Sequence, residues 1–352
     1  MIRRLLVYPE EAWSLAVVGA LFGLAAATLT LLGNPASSGL CASCFLVNVA
    51  GSIGLHARAA QSYLRPELLG IVLGAFFAAF STKEFRVGGG SSTLLHFVGG
   101  AFILLGCEVF IGCPIKALLR TASGGVAGLT GLAGLTGGVL LAVLFLRDGF
   151  SLSSRRALPE PLGFAIPVAA FALLAMAVYG AGQALPGGTS HAPFAISLAA
   201  GLFFGAAGQR SRFCVTGSLR NAALLRDFRE GAGTVAFLGA VLAFNLAGGT
   251  FVPTLAFEAG AHTDLTWAFL ALAMVGFGAT LIAGCPFRQL VRAATGDLDA
   301  AAAVAGMLLA AGLSVRLGIG SSPAGVTDAG KLTVLLGWAL FLAVAAFKRK
   351  AA

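Results

Sequence analysis

Long apolar runs separated by short polar breaks recur along this chain. They lie near residues 13–32, 67–82, 93–111, 126–146, 162–181, 193–208, 231–248, 265–283, 299–317 and 332–347. Most run to about 18 to 22 residues, enough to cross ~30 Å of hydrocarbon as a helix. The period-2 alternation of a membrane strand is absent, so ten helical spans are expected rather than a barrel. Four stretches between them are too short or too polar to cross alone: GLCASCFLVNVAGSIGL, GCPIKALLR, RFCVTGSLRNAALL and GCPFRQLVR. Irregular backbone survives at membrane depth only where it is buried in protein or lines a wet cavity, so these are expected to be re-entrant.

Composition agrees with a polytopic membrane protein of all-α class. Hydrophobic residues make up 58% and charged residues 11%, against about 25% charged in a soluble domain. The start MIRR leads into a long span and lacks the short apolar core and cleavage site of a removable signal peptide. The net charge of +9 is scattered among loops. No basic and aromatic platform could track a strand, so nucleic acid is not an expected partner. Small anions and the lipid bilayer are. With the N-terminus inside, seventeen of the 23 Lys and Arg residues fall on the cytoplasmic side, which places both termini in the cytoplasm.

The chain also repeats itself. GCPIKALLR at 112–120 and GCPFRQLVR at 284–292 share Gly-Cys-Pro, a Leu and the final Arg, while CASCFLVN at 41–48 lies over CVTGSLRN at 214–221. Cys41 precedes Cys113 by 72 residues and Cys214 precedes Cys285 by 71. Five predicted crossings separate the start of one copy from the other, so the repeat is expected to be inverted, a transporter arrangement. The divisions are a first repeat over 13–147, a linker with one connecting span over 148–192, a second repeat over 193–317 and a C-terminal span with a basic tail over 318–352.

In Gly-Cys-Pro the proline suits the first helical position, which puts Cys113 and Cys285 at helix caps beside free backbone N–H groups. A free cysteine is ordinarily core packing. Duplication of the pairs Cys41/Cys113 and Cys214/Cys285 favours use instead, while Cys107, with alanine at its repeat position, is read as core. Cys41 and Cys44 form CxxC, which fits a redox disulfide or half a zinc site. A closed zinc site needs four ligands, but Gly217 lies opposite Cys44 and the four histidines are dispersed. No metal or cofactor is therefore expected.

Arg120 and Arg292 lie two turns past the cysteines on the same helix face and can either close an anion path or reach toward headgroups. Lys116 and Arg288 match between the copies. Arg210 and Arg212 can gather anions at the cytoplasmic mouth or follow the charge bias alone. Glu108 is an acid near a span end, either a proton carrier or a partner of Lys116. GVTDAGKL at 325–332 imitates a phosphate-binding loop but has Leu332 where a magnesium-binding hydroxyl belongs. The sparse polar residues assemble no nucleophile, base and orienter, so no enzyme is expected.

At LGNPASSGLCASCF, RPELLG, GCPIKALLR, GQRSRFC and GCPFRQLVR the chain resembles the YeeE/YedE membrane family of sulfur-transport domain proteins, and is most similar to its YedE branch of selenium transporters. The likeness runs from about residue 31 to 317. It implies an hourglass-shaped inverted repeat that passes thiosulfate through its waist by transient contacts with cysteine thiols, in some members with a soluble sulfur carrier of the TusA type. Carried onto matching positions, Cys113 and Cys285 are relay thiols flanked by Cys41 and Cys214. Arg120, Arg292, Lys116, Arg288, Arg212 and Glu108 are candidates for the anion path. The expected function is uptake of a sulfur- or selenium-containing anion across the bacterial cytoplasmic membrane. The alternatives are a membrane thiol-disulfide redox protein using Cys41 and Cys44, and a docking subunit for a sulfur-carrier protein.

Overall fold

A computed structural model describes residues 11–152, 154–179, 190–254 and 260–348. The basic residues at 3, 4, 349 and 350, and most of the 182–192 loop, lie outside the described residues.

The long helices are α1 (Ala12–Leu31), α3 (Pro66–Ser81), α4 (Thr93–Phe110), α6 (Val126–Arg147), α7 (Ala165–Tyr179), α8 (Phe194–Ser211), α10 (Arg229–Ala247), α11 (Leu265–Leu281), α13 (Leu298–Arg316) and α14 (Asp328–Phe347). Each coincides with one apolar run. Four short helices occupy the four breaks: α2 (Ala42–Ser52), α5 (Pro114–Ala122), α9 (Val215–Leu225) and α12 (Pro286–Ala294). Among the described residues, eight segments are long and apolar enough to cross a membrane. The two expected spans that fall short are α7, with 15 residues, and α8, which ends in the polar sequence Gly-Gln-Arg-Ser. Two-residue strands at Gly88–Gly89 and Arg156–Ala157 pair antiparallel.

The long helices pack reciprocally. The most extensive contacts are α1 with α10, α3 with α8, α4 with α13 and α6 with α11, so the first and second helices of one half exchange partners with those of the other, and the third and fourth do likewise. Glycine permits the closeness. A Cβ at Gly74 would meet the Leu202 carbonyl, and one at Gly205 the Ile71 carbonyl, across the same α3–α8 interface. Small residues letting backbones touch are how helices associate where lipid removes the hydrophobic drive. Phe77, Leu140, Phe171 and Leu335 point outward, an apolar exterior suited to lipid.

Candidate functional site

Both GCP boxes sit at a helix break. After α4 the chain turns at Ile111 (φ 61°) and after α11 at Ala283 (φ 57°), left-handed conformations that stop a helix. Extended Cys113 and Cys285 then cap α5 and α12, each with proline at N1. A stopped helix leaves carbonyls without N–H partners, which is costly away from water.

The repeated arginines answer that need. Arg120 donates from Nη1 to the Phe110 carbonyl (2.9 Å) and from Nη2 to that of Ile111 (2.9 Å). Arg292 donates from Nη1 to the carbonyls of Ile282 (3.2 Å) and Ala283 (2.9 Å). Two helical turns beyond the cysteine, each side chain folds back onto the end of the preceding helix, where a cation also suits the dipole. The remaining contacts differ. Arg120 reaches the Gly260 carbonyl and lies over the Phe110 ring at 4.8 Å. Arg292 grips Asp297 through Nε (3.0 Å) and Nη2 (2.7 Å). Arg120 is 0% exposed and is not among the residues lining the cavities described below. Arg292 does line cavities, as described below.

Cys41 caps α2 and accepts the Cys44 N–H at 3.4 Å; Cys214 caps α9 and accepts the Gly217 N–H at 3.3 Å. Cys113 lies against Cys41, and the Cys214 and Cys285 sulfurs are 3.6 Å apart. All four thiols are buried. Each of the four thiols therefore sits at a helix N-terminus, with a partial positive charge at its cap. Cys107 is buried in the core behind them.

A cavity adjoins each pair of cysteines. The first, about 180 Å³, is lined by Cys44, Asn48, Arg58, Arg65, Glu108 and Lys116 among others. Lys116 Nζ stands 3.9 Å from Cys44 Sγ. Glu108 and Lys116 share this cavity, and no ion pair joins them. The second cavity, about 280 Å³, is lined by Cys214, Thr216, Arg212, Arg220, Glu230, Arg288 and Arg292. It shares Arg212, Arg288 and Arg292 with a vestibule of about 450 Å³ that adds Arg86, Arg155 and Asp297. Arg65 immediately precedes α3, and Glu84, which lines the vestibule, follows it. The first cavity and the vestibule thus lie at opposite ends of a 16-residue helix, about 24 Å apart at 1.5 Å per residue. Arg210 turns instead to Glu84 (2.7 Å).

A buried network beside the first cavity escaped the sequence reading. Arg65 donates to Asn34 Oδ1 (3.0 Å), Asn34 donates to Glu67 Oε1 (2.9 Å), and Ser197 donates to the same oxygen (3.0 Å). Glu67 is 0% exposed. The available signal was an acid at the head of an apolar run, two residues from an arginine. Asp299 likewise gathers Gly90, Ser91 and Thr93, tying the 88–93 loop to α13.

His56, His96 and His262 each bond a backbone carbonyl, of Val47, Ser92 and Val109 respectively, and His191 stacks on Tyr63. Among the described residues no group of three or more His, Cys, Asp or Glu could hold a metal. The phosphate-loop imitation is a helix start, with Thr327 capping α14 and Lys331 paired to Asp328. Compared with protein-family models and with curated proteins, the chain matches none.

Proposed function

We propose that this protein is a transporter of the bacterial cytoplasmic membrane, taking up a thiosulfate-like sulfur or selenium anion. The observation that carries the reading is the set of four helix-capping thiols, with an arginine- and lysine-lined cavity at one end of α3 and an arginine-lined vestibule at the other. Basic mouths concentrate an anion. Thiols are weak, polarizable donors, so a soft anion can be held briefly at each sulfur and released. The reciprocal packing of α1–α10, α3–α8, α4–α13 and α6–α11 supports an inverted repeat. On that reading the ten long helices cross the membrane, both termini are cytoplasmic and the arginine-rich vestibule faces the cytoplasm, where a TusA-type carrier can receive sulfur.

The test is labelled thiosulfate uptake into proteoliposomes. Cys113→Ala and Cys285→Ala should each abolish uptake with folding nearly intact, because one sulfur adds little buried volume, whereas Cys107→Ala should leave it high. Unlabelled thiosulfate and its selenium analogue should compete and sulfate should not. Equal loss of folded protein in all three variants would mean that the cysteines only pack. Electron transfer without uptake would favour a redox protein.

A further inference from the structure

The first cavity holds a thiol that the second lacks. Cys44 is half-buried and lines the cavity, whereas Cys41 lies fully buried behind it. Both are free, and their sulfurs are 2.6 Å apart. In the other copy the capping geometry of Cys214 is the same, but Gly217 stands in place of Cys44. The cap therefore does not need the second sulfur. Lys116 offers a positive charge 3.9 Å from Cys44 Sγ. That ammonium is the counter-ion for the thiolate formed when Cys44 loses its proton in the attack. An accessible thiol over a buried one is the arrangement in which the first sulfur is attacked and the second resolves it.

We propose that Cys41 and Cys44 form a reversible oxidation site for small-molecule disulfides entering the first cavity. In the first step the Cys44 thiolate attacks the disulfide RSSR, forming a Cys44–S–SR bond and releasing RS⁻. In the second the Cys41 thiol attacks Cys44 Sγ, forming the Cys41–Cys44 disulfide and releasing RSH. The two cysteines lose two electrons and RSSR gains them. A dithiol reverses both steps. Oxidation withdraws Cys41 from the set of capping thiols, so uptake stops while the bond persists. That consequence rests on the transport reading, and the modification itself does not.

The probe is bis(2-hydroxyethyl) disulfide applied to the full-length protein in liposomes, followed by denaturation, alkylation of remaining thiols and peptide mass spectrometry. The untreated protein has six free cysteines. Treatment should remove two alkylatable thiols, yield a peptide joining Cys41 to Cys44, and be undone by dithiothreitol. Cys41→Ala should stop at a hydroxyethylthio adduct on Cys44, and Cys44→Ala should form no internal link. Six thiols after treatment, or an adduct on another cysteine in Cys41→Ala, would overturn the site. In the same liposomes thiosulfate uptake should be lost on oxidation, and whatever uptake Cys44→Ala retains should be insensitive to the probe. Unchanged uptake through fully linked protein would overturn the switch. Absence of uptake before treatment would count against transport alone, since the mass readout does not depend on it.

Discussion

The two GCP breaks share their backbone and differ in what surrounds it. At both, a left-handed residue ends one helix, a cysteine caps the next and an arginine returns to the stranded carbonyls. Arg120 is then sealed against Phe110 and the Gly260 carbonyl, whereas Arg292 faces a cavity and closes on Asp297. The repeated letters build the break. The letters that differ give each mouth its own chemistry.

Removing the sealed arginine should expose this most strongly. Arg120→Ala strands three carbonyls bonded by a buried guanidinium, and with about 1.5–3 kcal/mol for each hydrogen bond to a charged group the loss should be about 5–9 kcal/mol. Thermal unfolding in detergent should show little folded protein, and Arg120→Lys should not restore it, because an ammonium lacks the planar fork. Arg292→Ala should be milder, being partly exposed with Gln289 also bonded to the Ile282 carbonyl. Equal losses would break the contrast.

The starts of α3 and α10 provide a second comparison. Arg65, Asn34, Glu67 and Ser197 form a buried network at α3, and Glu67→Ala should destabilise by about 3–5 kcal/mol by leaving Arg65 buried without its counter-ion. At vestibule level the effect should be smaller. Asp297→Asn keeps an acceptor for the α13 cap but loses the ion pairs to Arg292 and Arg155, about 1–2 kcal/mol. Freed positive charge should also lower the half-saturation concentration for anion uptake. An increase would mean that Asp297 positions the arginines rather than competes for them.

The smallest effect belongs to Asp227 at the start of α10. The Arg229 guanidinium holds its partly exposed carboxyl at about 2, below the ordinary 3.8. A depressed carboxyl stabilises the fold above its ordinary value, and this contribution is lost as pH falls through about 2. Arg229→Ala should return the titration toward 3.8 in an NMR measurement and remove a small, salt-sensitive contribution to stability at neutral pH. An unmoved titration would assign the shift elsewhere.

The sequence by itself determined the helices, the breaks and the caps. Apolar runs, Gly-Cys-Pro and the proline at N1 act over a few residues, so α5 and α12 begin where their letters say. The repeat also marked Cys41, Cys113, Cys214 and Cys285, which the fold gathers at four helix starts. Only the tertiary structure decided what the charged residues do. Arg120 and Arg292 occupy the same place in the same motif, and they part because Gly260 meets one and Asp297 the other. Glu67 finds Asn34 and Ser197 at separations of 33 and 130 residues. A buried polar group must be satisfied by whatever the fold brings within about 3 Å, and long-range neighbours leave no local pattern to read.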